Sequence, residues 1–210
     1  TPGDSDTINF GAGIFQSSLY FWSPPVASGA VTQYDLNIDL ASGEKVVLSG
    51  GLAQGAARVE NFTFADGSTL SLNQLLEQGI HVIAFVDPFF GGPTIDRRFA
   101  TWKEITTIVG NNGFVYDGSG GDQIEDRGVS NYINAGAGAN TIIVGTNTTI
   151  QSEAGSDEII TRAGFGTLTV NVAGALGGTQ NNGRDTLQFY DSVTLENISV
   201  VWDGSYSMSI

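Results

Sequence analysis

The apolar residues in the second half of the chain recur at a nearly fixed interval. An aliphatic residue returns every nine residues, with a single step of eight, at Val115, Ile124, Ile133, Ile142, Ile150, Ile159 and Leu168. Polar or small residues stand two positions before each of these: Gly113, Asp122, Asn131, Asn140, Thr148, Asp157 and Gly166. A third column, four positions before, is rich in glycine. The spacing predicts a repeat in which each unit is one rung of a stacked coil.

The first half follows a different pattern. Residues 6–78 contain short segments that alternate or run apolar in strand fashion, namely DTINF, SLYFW, YDLNIDL and EKVVLSG. Asp66-Gly67 predicts a hairpin turn after Phe62 and Phe64. A short helix through Gln78 is predicted beyond it, with Ser71 as N-cap, Gln74 completing a capping box and Gly79 ending the helix.

Composition and charge narrow the possible partners. The chain has 22 acidic and eight basic residues and a net charge of −14, which argues against nucleic acid and anionic membranes and favours cations. It has no cysteine, which excludes disulfides, thiol catalysis and thiolate zinc sites and is compatible with an exported bacterial protein. The longest apolar run, 82–86, is too short to span a bilayer. Sixteen of the 29 glycines fall between Gly110 and Gly183, inside the repeat.

The repeat resembles the G-G-x-G-x-D-x-U-x nonapeptide of the RTX family, in which U is a large apolar residue. The segment DGSGGDQIE, Asp117 to Glu125, is the closest copy, and AGAGANTII, 135–143, has asparagine in the aspartate position. The resemblance implies a parallel β-roll in which each repeat is a glycine turn and a very short strand, and two repeats make one coil. It also implies type I secretion, with calcium bound between stacked turns and folding that awaits external calcium.

Alternate rungs stack, so Asp122, Asn140 and Asp157 are expected along one edge of the roll. Gly113, Asn131, Thr148 and Gly166 are expected along the other, with amide and hydroxyl ladders and no metal. The resemblance implies calcium at few places on the first edge, with candidate ligands Asp117, Gly118, Gly120, Asp122, Asn140 and Asp157. The alternative is a metal-free roll held by backbone ladders alone. Glu125 and Asp126, beside the best turn, are equally explained as solvated surface charge.

The first half resembles the haemolysin-type calcium-binding-related domain that accompanies RTX repeats. Its members carry an F-G-x-G-I stretch and a later F-A-D-G-[ST] hairpin before a short Leu-Leu helix. Here these motifs are FGAGI at Phe10 to Ile14 and FADGS at Phe64 to Ser68. The resemblance implies an antiparallel sheet domain over residues 1–79.

The end of the chain repeats its beginning. The segment from Asp185 matches the segment from Asp6, with Leu187 aligned to Ile8 and Phe189 to Phe10. We therefore expect residues 185–210 to begin a second sheet domain or to form a C-terminal cap. Such a chain is natural as one period of a tandem array or as a subunit completed by its neighbours. Self-association through sheet edges is expected, because an incomplete sheet exposes unpaired strands.

Residues 80–110 match neither pattern. Aromatic residues and an arginine pair cluster around DPFFGGP, and the candidate partner-binding residues are Phe89, Phe90, Arg97, Arg98 and Trp102. One interpretation is a strand, a loop and a covering segment that seal the junction between the two halves, with Asp96 paired to an arginine. The other is a surface that contacts a neighbouring module, another chain or a glycan.

The motifs of catalysis are missing from the sequence. His81 is the only histidine and lies in an apolar run, which indicates a half-buried strand residue. No G-x-S-x-G, H-E-x-x-H or Walker motif occurs, and no dinucleotide fingerprint precedes a helix. The adjacent acids Asp157 and Glu158 do not face each other across a cleft as glycosidase chemistry needs. We therefore expect no enzyme activity.

Together these patterns predict an all-β chain, with a short-stranded antiparallel sheet domain followed by a degenerate RTX-type parallel β-roll over residues 111–184. The expected function is that of a non-catalytic structural module of a secreted, calcium-binding repeat protein at the cell surface, self-associating into a fibre, surface layer or adhesin stalk. The alternatives are an extracellular module that binds carbohydrate or a host surface, and an accessory domain of an RTX toxin or hydrolase.

Overall fold

The fold is almost entirely β. The computed structural model describes residues 5–24, 34–53, 58–86, 94–171, 183–189, 193, 201–202 and 208–209. These residues form an antiparallel sheet domain, one short helix and a coil of parallel strands with about four turns. The predicted fold class is confirmed.

The strands are short throughout the chain. They are β1 (Asp6–Asn9), β2 (Leu19–Trp22), β3 (Leu36–Leu40), β4 (Lys45–Leu48), β5 (Val59–Thr63), β6 (Thr69–Ser71), β7 (Ile80–Val86), β8 (Thr94–Asp96), β9 (Glu104–Gly110), β10 (Phe114–Tyr116), β11 (Gln123–Asp126), β12 (Tyr132–Asn134), β13 (Thr141–Ile143), β14 (Thr149–Gln151), β15 (Glu158–Ile160), β16 (Thr169–Asn171), β17 (Thr186–Gln188), β18 (Val201–Trp202) and β19 (Met208–Ser209).

The antiparallel domain has the hairpin and the helix that its sequence predicts. β5 and β6 pair across the turn at Gly67, which has φ of +80°. Helix α1 (Leu72–Gln78) begins at Ser71, whose hydroxyl accepts from the Gln74 backbone N–H in a capping box, and it ends at Gly79 with φ of +108°. Among the described residues no helix is long and apolar enough to cross a membrane.

The two glycine-containing motifs of the first half pack against each other. The rings of Phe10 and Phe64 stack with centroids 5.6 Å apart. The Ala65 backbone N–H donates to the Ile14 carbonyl, and the Phe10 N–H donates to the Thr63 carbonyl. The two motifs therefore lie side by side, joined by a ring contact and by backbone hydrogen bonds at Ala65 and at the adjacent Thr63.

The coil is built from two parallel sheets whose strands alternate along the chain. One sheet has nine strands in the order β17-β15-β13-β11-β9-β7-β2-β3-β4, and the other has five in the order β16-β14-β12-β10-β8. The nine-stranded sheet therefore runs from the antiparallel strands into the coil without a break. β7 makes the connection, since it pairs in parallel with β9 and touches β2 where Trp22 lies opposite His81.

The predicted apolar column fills the interior of the coil. Val115, Ile124, Ile133, Ile142, Ile150 and Ile159 are all buried with at most 1% of their surface exposed. Ile124, Ile142 and Ile159 are neighbours in the nine-stranded sheet, and Val115, Ile133 and Ile150 are neighbours in the other. The stacked coil of nine-residue steps is confirmed over these residues.

The register predicted for Leu168 is wrong by two residues. Val170, rather than Leu168, lies opposite Ile150, and Leu168 packs partly buried against the same core. The connection after β15 is longer than the preceding ones and turns at Gly164 and Gly166, both with positive φ. The two additional residues lie in this turn, so the inward position moves along the chain.

Segments that match no repeat also belong to the coil. β8 pairs with β10 and β7 pairs with β9, so residues 80–110 supply its first strands. β17 pairs with β15, with Leu187 opposite Ile159, and adds one more rung at the other end. β18 and β19 form a separate antiparallel pair.

The inward orientation of the column can be tested on two adjacent isoleucines of β13. We expect Ile142→Ala to lower the free energy of unfolding by about 2–5 kcal/mol, because it leaves a cavity between Ile124 and Ile159. Ile143→Ala, on the outer and half-buried face, should cost clearly less. Urea denaturation gives both values, and equal losses for the two variants would contradict the assigned faces.

Candidate functional site

One corner of the coil carries a ladder of side-chain oxygens, which we call the first corner. It consists of the first residue of β9 and of the residues just before β11, β13, β15 and β17: Glu104, Asp122, Asn140, Asp157 and Asp185. At each step an Oδ1 atom accepts from the backbone N–H of the residue one coil earlier. The Glu104 N–H donates to Asp122 at 2.7 Å, and the Asp122 N–H donates to Asn140 at 2.9 Å. The Asn140 N–H donates to Asp157 and the Asp157 N–H donates to Asp185, both at 3.0 Å. The expected stacking of Asp122, Asn140 and Asp157 is present.

In the middle of the first corner an amide nitrogen stands among oxygens. Asn140 Nδ2 donates to Asp157 Oδ1 at 3.0 Å and lies 3.2 Å from the Ala135 carbonyl and 3.4 Å from the Gly138 carbonyl. Carbonyl and carboxylate oxygens are the atoms with which turns hold calcium. Here the amide group takes the place that a cation would need.

Asp157 also has its oxygens satisfied. Its Oδ2 accepts from the Ser152 hydroxyl at 2.6 Å. Burial raises the pKa of this carboxyl, while the hydrogen bonds from Ser152 and Asn140 lower it. The Asn140 and Asp157 part of the predicted ligand set therefore does not fit a metal ion.

The opposite corner holds a buried polar network centred on Asp126. Asp126 Oδ1 accepts from the Gly128 N–H and from Asn131 Nδ2, both at 2.8 Å, and Oδ2 accepts from the Thr148 hydroxyl at 2.8 Å. The amide and hydroxyl contacts expected on this edge are present. The interpretation of Asp126 as solvated charge is wrong, because it is fully buried. Glu125 does lie at the surface, paired with Arg127 and Arg162.

A buried ion pair begins the ladder. Arg97 and Glu104 are both fully buried, and Arg97 Nε lies 3.0 and 3.1 Å from the two carboxylate oxygens of Glu104. Arg97 also donates to the Ser23 hydroxyl and the Pro24 carbonyl, and its guanidinium lies 4.3 Å from the centre of the Tyr34 ring. The pair therefore links the first coil to the antiparallel domain.

Two other carboxylates next to this pair each have one oxygen without a hydrogen-bond partner. Asp117 and Asp122 are buried, and the Oδ2 atom of each has no hydrogen-bond partner. Burial raises the pKa of Asp117 well above its usual value, and the neighbouring charges of Glu104 and Asp122 raise it further. Burial also raises the pKa of Asp122 to about 7. A bound cation or a proton would neutralise the buried negative charge of Asp117 and Asp122.

The surroundings of Asp117 and Asp122 fit a cation only in part. Arg97 already neutralises the third nearby carboxylate, Glu104. Consistent with this, the described residues contain no group of three or more histidine, cysteine, aspartate or glutamate side chains that could hold a metal. Calcium at this corner would depend on two carboxylates, completed by backbone oxygens and water, which predicts weak binding.

Gly118 and Gly120, also predicted as ligands, have a steric role. A Cβ atom at Gly118 would lie 2.0 Å from the Ala100 carbonyl oxygen, and one at Gly120 would lie 2.2 Å from the Trp102 carbonyl oxygen. Only glycine allows consecutive turns to stack this closely. The Gly118 carbonyl accepts from the Ala137 N–H of the next turn.

The described members of the predicted partner-binding set differ in their exposure. Phe89 and Phe90 lie outside the described residues. Arg97 and Trp102 are buried, with Trp102 in a T-shaped contact with Tyr34 at 5.4 Å, so neither offers its side chain to a partner. Arg98 is largely exposed, pairs with Asp96 and lies over the Tyr116 ring.

Sequence reasoning missed Glu104 and the role of Arg97. The signal for Glu104 was its spacing, because it precedes Asp122 by 18 residues, the length of one coil. No repeat pattern singles out Arg97, whose contacts come from three separate parts of the chain.

The comparison with known families concerns the first half. Residues 35–74 match the family model of the haemolysin-type calcium binding protein related domain. The match begins just before β3 and ends within α1, so it contains the FADGS hairpin, and it confirms the resemblance drawn from that motif. Searches of curated proteins and of solved structures found no match. Residues 35–74 are thus similar to that domain, and the coil that follows is a β-solenoid consistent with RTX-type repeats.

The role of the Asn140 amide as a neutral substitute for a cation can be tested by Asn140→Asp. The variant loses the donor to Asp157 and gains a like charge, so we expect its free energy of unfolding to fall by about 1–3 kcal/mol in chelator. Millimolar calcium should restore part of the loss, since the surrounding oxygens remain. Asn171→Asp, on the exposed face of β16, is the matched control and should change little. A loss in Asn140→Asp that calcium leaves unchanged would contradict the substitution.

Proposed function

We propose that the chain is a non-catalytic structural module of a secreted repeat protein, in which the coil acts as a stiff, calcium-responsive spacer. The observation that carries this proposal is the nine-stranded sheet, which passes from β4 of the haemolysin-type domain to β17 at the far end of the coil. Because one sheet continues across the domain boundary, there is no hinge there. A force on the β4 end is therefore transmitted to the β17 end, and the two ends keep a fixed relative orientation.

The polar residues of the coil support a structural role. The buried charges of Arg97, Glu104 and Asp126 are engaged in contacts that hold the corners together. The His81 imidazole has no hydrogen-bond partner among the described residues, so it lacks an orienting group, and burial lowers its pKa. A general base needs such a group and a proton to abstract.

Calcium responsiveness rests on the first turn of the ladder. We propose that Asp117 and Asp122 hold the ion, because each has a buried oxygen without a partner. Calcium would supply the positive charge that these carboxylates lack. Over the rest of the first corner, Asn140 and Ser152 already provide hydrogen-bond donors, so we expect one weak site.

Extracellular location is part of the same proposal. It is supported by the family match of residues 35–74 and by the lack of cysteine. Calcium outside the cell reaches the millimolar concentrations at which weak extracellular modules bind it. Such a module would acquire its full stability only after export.

Self-association is the finer part of the proposal. β4 pairs only with β3 among the described strands, and its Val47 is 53% exposed. An open edge strand with an exposed branched residue is a site for pairing with a second copy. We propose that copies associate through this edge, as a fibre, layer or stalk would require.

The calcium site can be tested with Asp122→Asn. The asparagine keeps the Oδ1 acceptor for the Glu104 N–H but removes the buried charge, so the ladder survives. We expect calcium to raise the melting temperature of the wild type by mass action and to leave that of Asp122→Asn unchanged. Without calcium the variant should melt above the wild type, since an unpaired buried charge is gone.

Glu158→Gln, an exposed carboxylate of β15, is the control and should keep the calcium response. Differential scanning calorimetry in chelator and in millimolar calcium measures all three proteins. A wild type that does not respond to calcium, or an equal response in Asp122→Asn, would contradict the site.

The edge contact can be tested with Val47→Lys. A charge on the open edge should lower the weight-average mass measured by sedimentation equilibrium toward that of the monomer. Val109→Lys is the control, since Val109 is 36% exposed but belongs to β9, which has neighbours on both sides. Association that survives Val47→Lys, or a wild type that is monomeric at all concentrations, would overturn this part of the proposal.

A further inference from the structure

An open cleft of about 590 Å³ lies where the antiparallel domain meets the first strands of the coil, and its lining contains none of the first-corner residues. It is bounded by the 3-10 turn Gln16–Ser18, by β2, by the Asp66 hairpin, by the end of α1 and by the start of β7. Its size is within the range of small-ligand sites, roughly 300–1,000 Å³. Nothing in the calcium or spacer function uses this cleft.

Three rings line the cleft without joining the core. Phe15 is 46% exposed and Tyr20 is 40% exposed, and the Tyr20 ring lies 4.7 Å from the His81 ring at a tilt of 35°. Tyr20 is on the outer side of β2, next to Phe21, which faces the core. The exposed ring faces are therefore available to apolar C–H groups of a ligand.

Two amides and one carboxylate lie beside the rings. Gln16 and Gln78 line the cleft, and no described residue makes a hydrogen bond with either side-chain amide. Asp66 Oδ1 accepts from the Ser68 N–H at 2.9 Å and from the Ser68 hydroxyl at 2.6 Å. These bonds fix the carboxylate and leave its Oδ2 atom for another donor.

The charge of the cleft selects among ligands. Its lining contains no lysine or arginine and one carboxylate, in a chain of net charge −14, so an anion would be repelled. An apolar peptide would leave the two amides unpaired, which costs affinity. A quaternary ammonium group would use the rings and Asp66 but neither amide. A neutral sugar ring uses all of them, since it has apolar C–H faces and hydroxyls that both donate and accept.

We propose that this cleft binds a neutral hexose or N-acetylhexosamine unit of a glycan. Tyr20 and Phe15 contact the sugar faces, Asp66 accepts from a hydroxyl pair, and Gln16 and Gln78 set the orientation. This site shares no residue with the candidate partner-binding set of the sequence analysis, which is Phe89, Phe90, Arg97, Arg98 and Trp102. It is independent of calcium binding by Asp117 and Asp122.

His81 gives a direct readout, because it is the only histidine and its ring contacts Tyr20. Its imidazole C–H resonance can be followed by proton NMR while maltotriose, cellotriose or chitotriose is added, and isothermal titration calorimetry gives the affinity. We expect saturable binding of at least one of the three with a shift of this resonance. Tyr20→Ala should weaken binding about tenfold, the loss of one good ring contact.

Phe114→Ala is the matched control, since Phe114 is a 43% exposed ring on the five-stranded sheet. It should leave the affinity unchanged, and Gln78→Ala should reduce it while keeping the wild-type melting curve.

Failure of all three sugars to bind would overturn the proposal. Equal losses in Phe114→Ala and Tyr20→Ala would also overturn it, as would choline chloride competing with the bound sugar at lower concentration. The calcium response of Tyr20→Ala should match the wild type, so the two proposals fail separately.

Discussion

One hydrogen bond, repeated at every coil, sets the register of the solenoid: a first-corner side-chain oxygen accepts from the backbone N–H one coil earlier. At Asp122 this bond reaches the Glu104 N–H, two residues before the inward position Thr106. Because the bond fixes one residue at the corner, it also fixes which residue of the following strand points inward. A slip of one residue would turn Ile124 to the solvent. The apolar core and the polar corner therefore impose the same register.

The hydrogen bond itself needs only a short side chain with a terminal oxygen, so aspartate and asparagine serve equally. What distinguishes them is the second terminal atom. In Asn140 the second atom is Nδ2, which donates to the Ala135 carbonyl. In Asp157 it is Oδ2, which accepts from the Ser152 hydroxyl. In Asp122 it has no partner. The corner residues thus differ in the second terminal atom, and within the described part of the ladder it is the Asp122 end that is left incomplete.

Much of the architecture could be predicted because it depends on local or strictly periodic features. The helix after Ser71 follows from its capping box, and the coil follows from the nine-residue column that includes Ile124 and Ile142. Leu168 was misplaced because two extra residues in a glycine turn are invisible to a fixed period. Surface charge stayed open as an interpretation of Asp126 because its side-chain partners, Asn131 and Thr148, lie in other rungs, which no local pattern reveals.

The buried Arg97 and Glu104 pair shows why residues 80–110 had no recognisable pattern. Removing two charges from water costs several kcal/mol for each ion, and the pair is tolerated only where further partners compensate. Those partners are Ser23, the Pro24 carbonyl and the Tyr34 ring, all from the antiparallel domain. The first coil alone would expose the guanidinium to water, and the domain alone would lack the carboxylate. The segment was therefore shaped by contacts with the antiparallel domain rather than by the repeat, and this domain and the solenoid depend on each other at this point.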